Sequence, residues 1–390
     1  MISFILIAIA VTFTVTVIYS MNSFDSMVMS VKERSEMYTK LEEIDDAVRN
    51  NYYAPLDDDT IIECISNGYI SGLNPGDAEY LSASRISSRN IDARGSMIGT
   101  GMVMKQDSSG YMVVTDIVTG SPAENTEIQK DDIVVSINGI SLLPLTEEES
   151  LMLLDGNEGD ILHIVTSREG EETESEIEIA PYVVPSVAST FYGDIYYIHI
   201  LSVCSTTASQ FENAVNEARK SSDTLIGLVI DLRGVFGGHN LEYVANMLDI
   251  LLPTGTMISG VFRDGVSKVL YTSNDTSFDM PIGILIDENT KGYTEMFAAV
   301  MAENANVTTL GMITAGEGKY RQLQMLSDGT GIDLAVAVLE TPKAKTYDGV
   351  GVIPDIEYAM PEGMEIKDLP EEATDIQFSN LCDHMRNNKS

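Results

Sequence analysis

The chain has 390 residues, 44% hydrophobic and 21% charged, with a mean hydropathy of +0.03, which is enough to bury one or two sizeable cores and too apolar for disorder. Its formal charge of −37, from 60 acidic against 23 basic residues, repels polyanions and argues against nucleic acid as a partner. Cys64, Cys204 and Cys382 lie far apart without a Cys-x-x-Cys spacing, and the four histidines show no paired helical spacing, so no disulfide framework, metal site or cofactor is expected.

Residues 2–19 carry no charge, and as a helix they would span roughly 27 Å, close to the ~30 Å hydrocarbon core of a bilayer. A single-pass anchor over 1–22 is the economical reading. A cleaved signal peptide is the alternative, with a poor small-x-small pattern around Tyr19-Ser20-Met21-Asn22. Lys32, Arg34 and Lys40 follow the span and no Lys or Arg precedes it, which by the positive-inside rule would keep the body in the cytoplasm. A basic segment upstream of Met1 is the hypothesis that permits an extracytoplasmic body, and N-terminal sequencing that finds Met1 would remove it.

Met37, Leu41, Ile44 and Val48 recur at helical spacing, which predicts an amphipathic helix over 31–50. A second helix is expected over 60–70, the pair forming a small helical region (30–92) that caps the body. From 93 to 182 short β-rich runs take over (98–104, 111–117, 132–137, 161–167 and 173–179), with a helix over 146–154. From 183 to 362 apolar strands (196–200, 226–232, 281–286, 307–313) alternate with helices (208–220, 240–252, 295–304), the pattern of an α/β layered domain. Thr207-x-x-Gln210 reads as a capping box for the first of these helices. The acidic 169–178 hairpin reads as a solvated face. The tail 363–390 is expected to form a helix through Ile376, Phe378, Leu381 and Met385, and its packing partner is left open.

Three segments carry a resemblance. Gly120-Ser121-Pro122-Ala123 followed by Asp131-Asp132-Ile133-Val134-Val135-Ser136-Ile137-Asn138-Gly139 resembles a bacterial PDZ domain, with Met97, Ile98, Gly99, Thr100 and Gly101 where such domains present amide N–H groups to a peptide's terminal carboxylate. Ile230-Asp231-Leu232-Arg233-Gly234-Val235-Phe236-Gly237-Gly238 and Tyr347-Asp348-Gly349-Val350-Gly351-Val352-Ile353-Pro354-Asp355 complete an order similar to the carboxyl-terminal processing (tail-specific) serine peptidases. Tyr53-Ala54-Pro55 and residues 70–81 resemble that family's N-terminal helical region. The resemblance implies a multidomain α/β and β protein: membrane helix, helical cap, PDZ domain and a ClpP/crotonase-like core.

The family uses a serine nucleophile and a lysine base, the serine three residues before a glutamate and the lysine in a Thr-x-Gly-Lys-Gly turn. Counting back from Glu295 lands on Gly292, and Thr314-Ala315-Gly316-Glu317-Gly318 places Glu317 at the base position, with Arg321 where a glutamine orients the base. The resemblance therefore implies a degenerate site, with catalysis by Thr294 or Thr290 and Lys319 or Lys291 as the alternative. A surface ion pair between Glu317 and Arg321 on a loop is the plain reading of those two charges. Backbone N–H groups at Gly237, Gly238 and Tyr293 are the oxyanion-hole candidates, with Phe236 in place of the family's usual proline.

The expected function is a membrane-anchored, extracytoplasmic pseudopeptidase that binds unstructured protein C-termini, with an active homologous peptidase as a further partner. An active serine-type endopeptidase with displaced groups and a non-enzymatic surface scaffold are the alternatives. An apolar peptide terminus is the expected ligand, because the edge formed by Met102 and Met104 is soft.

Overall fold

The computed structural model describes residues 35–388 apart from 222, 275, 276, 362, 364 and 365. The uncharged stretch 2–19 lies outside the described residues, and among the described residues no helix is long and apolar enough to cross a membrane. The chain divides into two compact units, one ending at Tyr69 and one beginning at Ile70.

In the first unit α1 (described over 35–51) is followed by α2 (Asp58–Ile70). Asp57 starts α2 by accepting the N–H groups of Asp59 and Thr60, and Arg49 pairs with both Asp45 and Asp58. Met37, Leu41, Ile44 and Val48 share the predicted face, but all four are exposed. The two helices bury no described residue up to Ile70, so the expected cap builds no core of its own.

The second unit begins with β1 (Ala78–Leu81) and α3 (Ala83–Arg94), the latter capped by the Ser82 side chain and ended by left-handed Gly95. The single strand expected over 98–104 is two strands, β2 (Ser96–Gly99) and β3 (Met102–Gln106). The break falls at Gly101, whose φ is +75° and where a Cβ would lie 2.1 Å from Ser121 Cβ, a site for glycine alone. Then come β4 (Met112–Ile117), β5 (Ile133–Ile137), β6 (Ile140–Ser141), α4 (Glu147–Met152), β7 (Ile161–Arg168) and β8 (Glu171–Glu178). These strands run in the order β3-β4-β5-β7-β8, with β6 hairpinned to β5 through Asn138-Gly139. Both turn residues have positive φ, as a two-residue hairpin requires. Met112 and Val114 of β4 and Leu162 and Ile164 of β7 fill the core from alternate positions, joined by Val134, Ile137 and Ile177.

β9 (Ala180–Val183) pairs with β2. Beyond it lie β10 (Val187–Tyr192), β11 (Ile195–Ile200), α5 (Thr207–Lys220), β12 (Gly227–Asp231), α6 (Leu241–Asp249), β13 (Gly255–Phe262), β14 (Ser267–Ser273), β15 (Ile282–Ile286), α7 (Tyr293–Met301), β16 (Val307–Gly311), β17 (Lys319–Met325), β18 (Gly331–Glu340), β19 (Ile356–Glu357) and α8 (Ile376–Asn387). The central sheet runs β10-β11-β12-β15-β16-β19, parallel from β11 onward. The inner strands β11, β12 and β15 are buried on both faces. Ile198, Leu228, Ile230 and Ile284 pack with Phe211, Leu248 and Phe297 of α5, α6 and α7. Tyr197, Val229 and Leu285 pack with Phe378, Leu381 and Met385 of α8, so the tail helix closes the second face.

The expected capping box at Thr207 does not form. α5 begins after Thr206, which makes no side-chain cap, and Gln210 instead accepts from Ser186 N–H and donates to Val184 O. A further sheet, β1-β18-β13-β14 with β17 on β18, has no counterpart among the strands expected from the sequence.

Candidate functional site

β15 is buried along its length and ends at Asp287, whose carboxylate accepts N–H groups from Gly234, Asn289 and Thr290. This fixes the loop that leads to Gly292 at the start of α7. Gly292 has φ +70° and ψ −131°, a conformation strained for any L side chain. A Cβ there would lie 3.1 Å from Phe236 Cε2 and 3.8 Å from Glu317 Oε2. Positions 292 and 317, related in the sequence only by their spacing, therefore face each other across the cleft.

Glu295 holds the two sides together. Fully buried, it accepts hydrogen bonds from the N–H groups of Gly292 (3.0 Å), Gly316 (2.6 Å) and Glu317 (2.8 Å) and from the Thr314 hydroxyl. Burial pushes its carboxyl above the ordinary glutamate value, against the pull of these hydrogen bonds. The segment from Tyr347 to Asp355 clamps the turn from outside: Gly349 N–H donates to Gly316 O, and Gly318 N–H donates to Asp348. A Cβ at Gly318 would come within 2.6 Å of Asp348 N, and one at Gly351 within 2.3 Å of Thr314 O. Close backbone approach accounts for glycine at both positions.

Several expectations change here. The Gly237 N–H donates to Lys291 O and so is not free for an oxyanion. Gly237 is needed for proximity, because its Cβ would lie 2.2 Å from Thr294 N and 2.4 Å from Tyr293 N. The N–H groups of Gly238 and Tyr293 have no hydrogen-bond partner among the described residues, and both residues line the cleft. The ion pair expected between Glu317 and Arg321 does not form. Glu317 lies in the turn before β17, whereas Arg321 lies on that strand, and its guanidinium pairs with Asp333 at 3.2 Å.

The alternative catalytic groups are committed elsewhere. Thr294 is buried and its hydroxyl lies 2.8 Å from Val235 O and 2.9 Å from Lys291 O. Thr290 is equally buried, against Leu232 O and Asp287. Lys319 pairs with Asp77, which raises its pKa and holds the amine charged. Lys291 Nζ stands 6.0 Å from the centre of the Phe236 ring. The resulting cleft encloses about 630 Å³ between Phe236, Gly238, Gly292, Tyr293, Glu317 and Arg321. Phe236, 40% exposed and edge-on to His239, was legible only as a missing proline. Arg89 and Asp333, which also line the cleft and pair at 2.9 Å, lie in segments that carry no motif.

In the PDZ region the five candidate residues separate. Met97, Ile98 and Gly99 belong to β2, paired with β9, and so do not form a loop. Thr100 is buried, with its carbonyl accepting from Ala123 N–H and its Oγ1 from Met102 N–H. The N–H groups of Thr100 and Gly101 have no partner among the described residues. β3 has β4 on one side only, and its other side lies beside α4, where Glu147 takes the Gln106 N–H at 2.9 Å.

Residues 194–358 match the sequence model of Peptidase family S41, and residues 113–168 match the PDZ domain. The carboxy-terminal processing protease CtpA of Bacillus subtilis (strain 168) is 24% identical over 376 residues, spanning 95% of this chain and 79% of that protein. A probable CtpA-like serine protease of Staphylococcus haemolyticus (strain JCSC1435) is 26% identical over 351 residues, 89% of this chain and 69% of that one. Among solved structures, a photosystem II D1 C-terminal processing protease aligns with a TM-score of 0.49 at 20% identity, covering 81% of this chain and 86% of that one.

Proposed function

We propose that this chain, which contains a peptidase family S41 domain and a PDZ domain, is a membrane-anchored, extracytoplasmic pseudopeptidase that binds protein C-termini without cleaving them. The observation that carries this is the side-chain-free Gly292 facing the Glu317 carboxylate: no hydroxyl stands at the attacking position and no amine at the base position. Serine-type chemistry needs both within hydrogen-bond reach. Thr294 and Thr290 offer no substitute, because each hydroxyl is buried in contact with backbone oxygen. Lys319 offers none either, because an ammonium held charged by a carboxylate is a poor proton acceptor.

Binding asks less of the side chains. The open edge of β3 and the unpaired N–H groups of Thr100 and Gly101 suit an extended peptide ending in a carboxylate. An active homologous peptidase is the partner whose action such binding would guide. The second reading, an active endopeptidase, is favoured by the protease names of the relatives.

The test incubates the full chain with an unfolded protein substrate. No cleavage is expected, and time-dependent cleavage lost on Thr294→Val or Lys319→Met would overturn the inactive reading. Titration with peptides carrying a free or an amidated C-terminus tests the PDZ edge, where the free carboxylate is expected to bind at least tenfold more tightly. Equal affinities would favour the scaffold. External protease treatment of intact cells tests the topology, with degradation of the body expected.

A further inference from the structure

The charges lining the cleft are unevenly satisfied. Arg89 and Arg321 both pair with Asp333 Oδ2, at 2.9 and 3.2 Å, and Lys319 pairs with Asp77. Asp333 is thus shared by two arginines and Asp77 takes Lys319, so each of these lining cations has a carboxylate contact. The Glu317 side chain, in contrast, is exposed and has no hydrogen-bond or ion-pair partner among the described residues. The Asp333 Oδ1 atom, though buried, also lacks a hydrogen-bond partner among them. Arg89, Lys319 and Arg321 are therefore all engaged, and the Glu317 carboxylate faces the cleft without a partner among the described residues.

The unpartnered carboxylate has a specific setting. Glu317 Oε2 lies 3.8 Å from where a Gly292 Cβ would be, and the edge of the Phe236 ring lies 3.1 Å from the same point. A group seated outside Gly292 therefore meets an aromatic surface and an anion together. An aliphatic stem with a cationic head suits that pair, since the stem covers apolar surface while the head reaches the carboxylate. A carboxylate ligand would be repelled by Glu317, and a neutral one would leave it unpaired.

We propose that this cleft holds an extended polypeptide with a lysine or arginine side chain seated between Phe236 and Glu317, and an adjacent carbonyl on the N–H groups of Gly238 and Tyr293. The proposal rests on the reading of the cleft as a binding site without cleavage. It adds the class of residue bound there. An ion pair in a concave site beside an aromatic ring is less screened than one on an open surface, so a clear charge preference should follow.

The experiment uses the full chain and pentapeptides acetylated at the N-terminus and amidated at the C-terminus, which removes the carboxylate that the PDZ edge would take. Arginine, norleucine or glutamate stands at the central position, and affinity is read by calorimetry. The arginine peptide is expected to bind about tenfold more tightly than the norleucine peptide, Glu317→Gln to erase the difference, and Glu317→Arg to favour the glutamate peptide. Thermal melts of the variants, expected unchanged because Glu317 is exposed, keep the result separate from misfolding. Equal binding of the three peptides, no binding of any, or a preference that survives Glu317→Gln would overturn the proposal. Mass spectrometry of the same mixtures reads the other question: hydrolysis of any peptide overturns the non-cleaving function, while the effect of Glu317→Gln alone decides the charge preference.

Discussion

The PDZ edge and the peptidase-like cleft differ in which parts of the chain they expose. The PDZ edge presents backbone groups, the open side of β3 and the amides of Thr100 and Gly101, which almost any sequence compatible with the fold supplies. The cleft, as a peptidase, would depend on the side chains at 292 and 317. Its frame is built by Glu295, which gathers the N–H groups of Gly292, Gly316 and Glu317, and by glycine at 316, 318 and 351. On the proposed non-cleaving function, a fold can keep the shape of a catalytic site without its chemistry, because frame and reacting groups are encoded at separate positions.

The largest effect tests whether the cleft lacks only its reacting groups. Gly292→Ser with Glu317→Lys and Arg321→Gln is expected to remain inactive, because a side chain at 292 must take a φ of +70° while crowding the Phe236 ring at 3.1 Å. Adding Phe236→Pro should release it. Phe236 N–H makes no hydrogen bond among the described residues, so proline removes no needed donor there. Cleavage of an unfolded substrate should rise by about a thousandfold over the triple variant, within the range that a positioned base contributes. A quadruple variant that folds and stays inactive would show that the frame too has decayed.

Next in size is the attachment of the tail to the core. Arg233, wholly buried, bonds Asp231, Asp375 and Gln377, linking the loop after β12 to the start of α8. Arg233→Ala should cost about 3–5 kcal/mol in urea unfolding, because it strands two buried carboxylates. The PDZ core contains none of these groups and should unfold at its former midpoint. Glu295→Ala should cost about 2–3 kcal/mol by leaving buried donors unpaired and should leave C-terminal peptide affinity unchanged. Gly101→Ala reverses the pattern. It should cost about 2 kcal/mol from strain at positive φ and remove C-terminal peptide binding while sparing the cleft.

The smallest effect is on pH dependence. Asp231 sits below its ordinary value: burial opposes this, but the Arg233 charge, the hydrogen bonds from Arg233 and Tyr197 and the nearby His199 together outweigh it. Its contribution is therefore complete above its ordinary value near 3.8 and is lost as pH falls through its lower folded value. Glu295 is shifted the other way, so the folded state holds its proton more readily than the unfolded chain, and its contribution weakens as pH rises from about 4.5. Urea midpoints in steps of half a pH unit should show Glu295→Gln flattening that upper decline and leaving the acid limb in place.

Much of the architecture was legible in the sequence because it is written in short-range patterns. The alternation of apolar strands and helices after residue 183 placed the central sheet. The sheet of β1, β13, β14, β17 and β18 was not legible. Its strands are half-exposed, and β1 finds its partner β18 only through the tertiary fold, with Ala78 opposite Leu334. The same error misplaced Arg321. Read as part of a loop it could have reached Glu317, but on a strand it points with Lys319 toward the segment around Gly76 and Asp77, where each finds a partner.

The sequence by itself determined the family resemblance and the identities at 292, 317 and 321, since these depend only on residue order and spacing. Tertiary structure alone decided which neighbouring groups were free. It assigned the Gly237 amide to Lys291, buried the hydroxyls of Thr290 and Thr294 against carbonyls, gave Lys319 to Asp77 and set the Phe236 ring beside Gly292. The physical reason is that a hydrogen bond or ion pair goes to the group that packing brings within about 3 Å, and in this chain those partners come from distant segments.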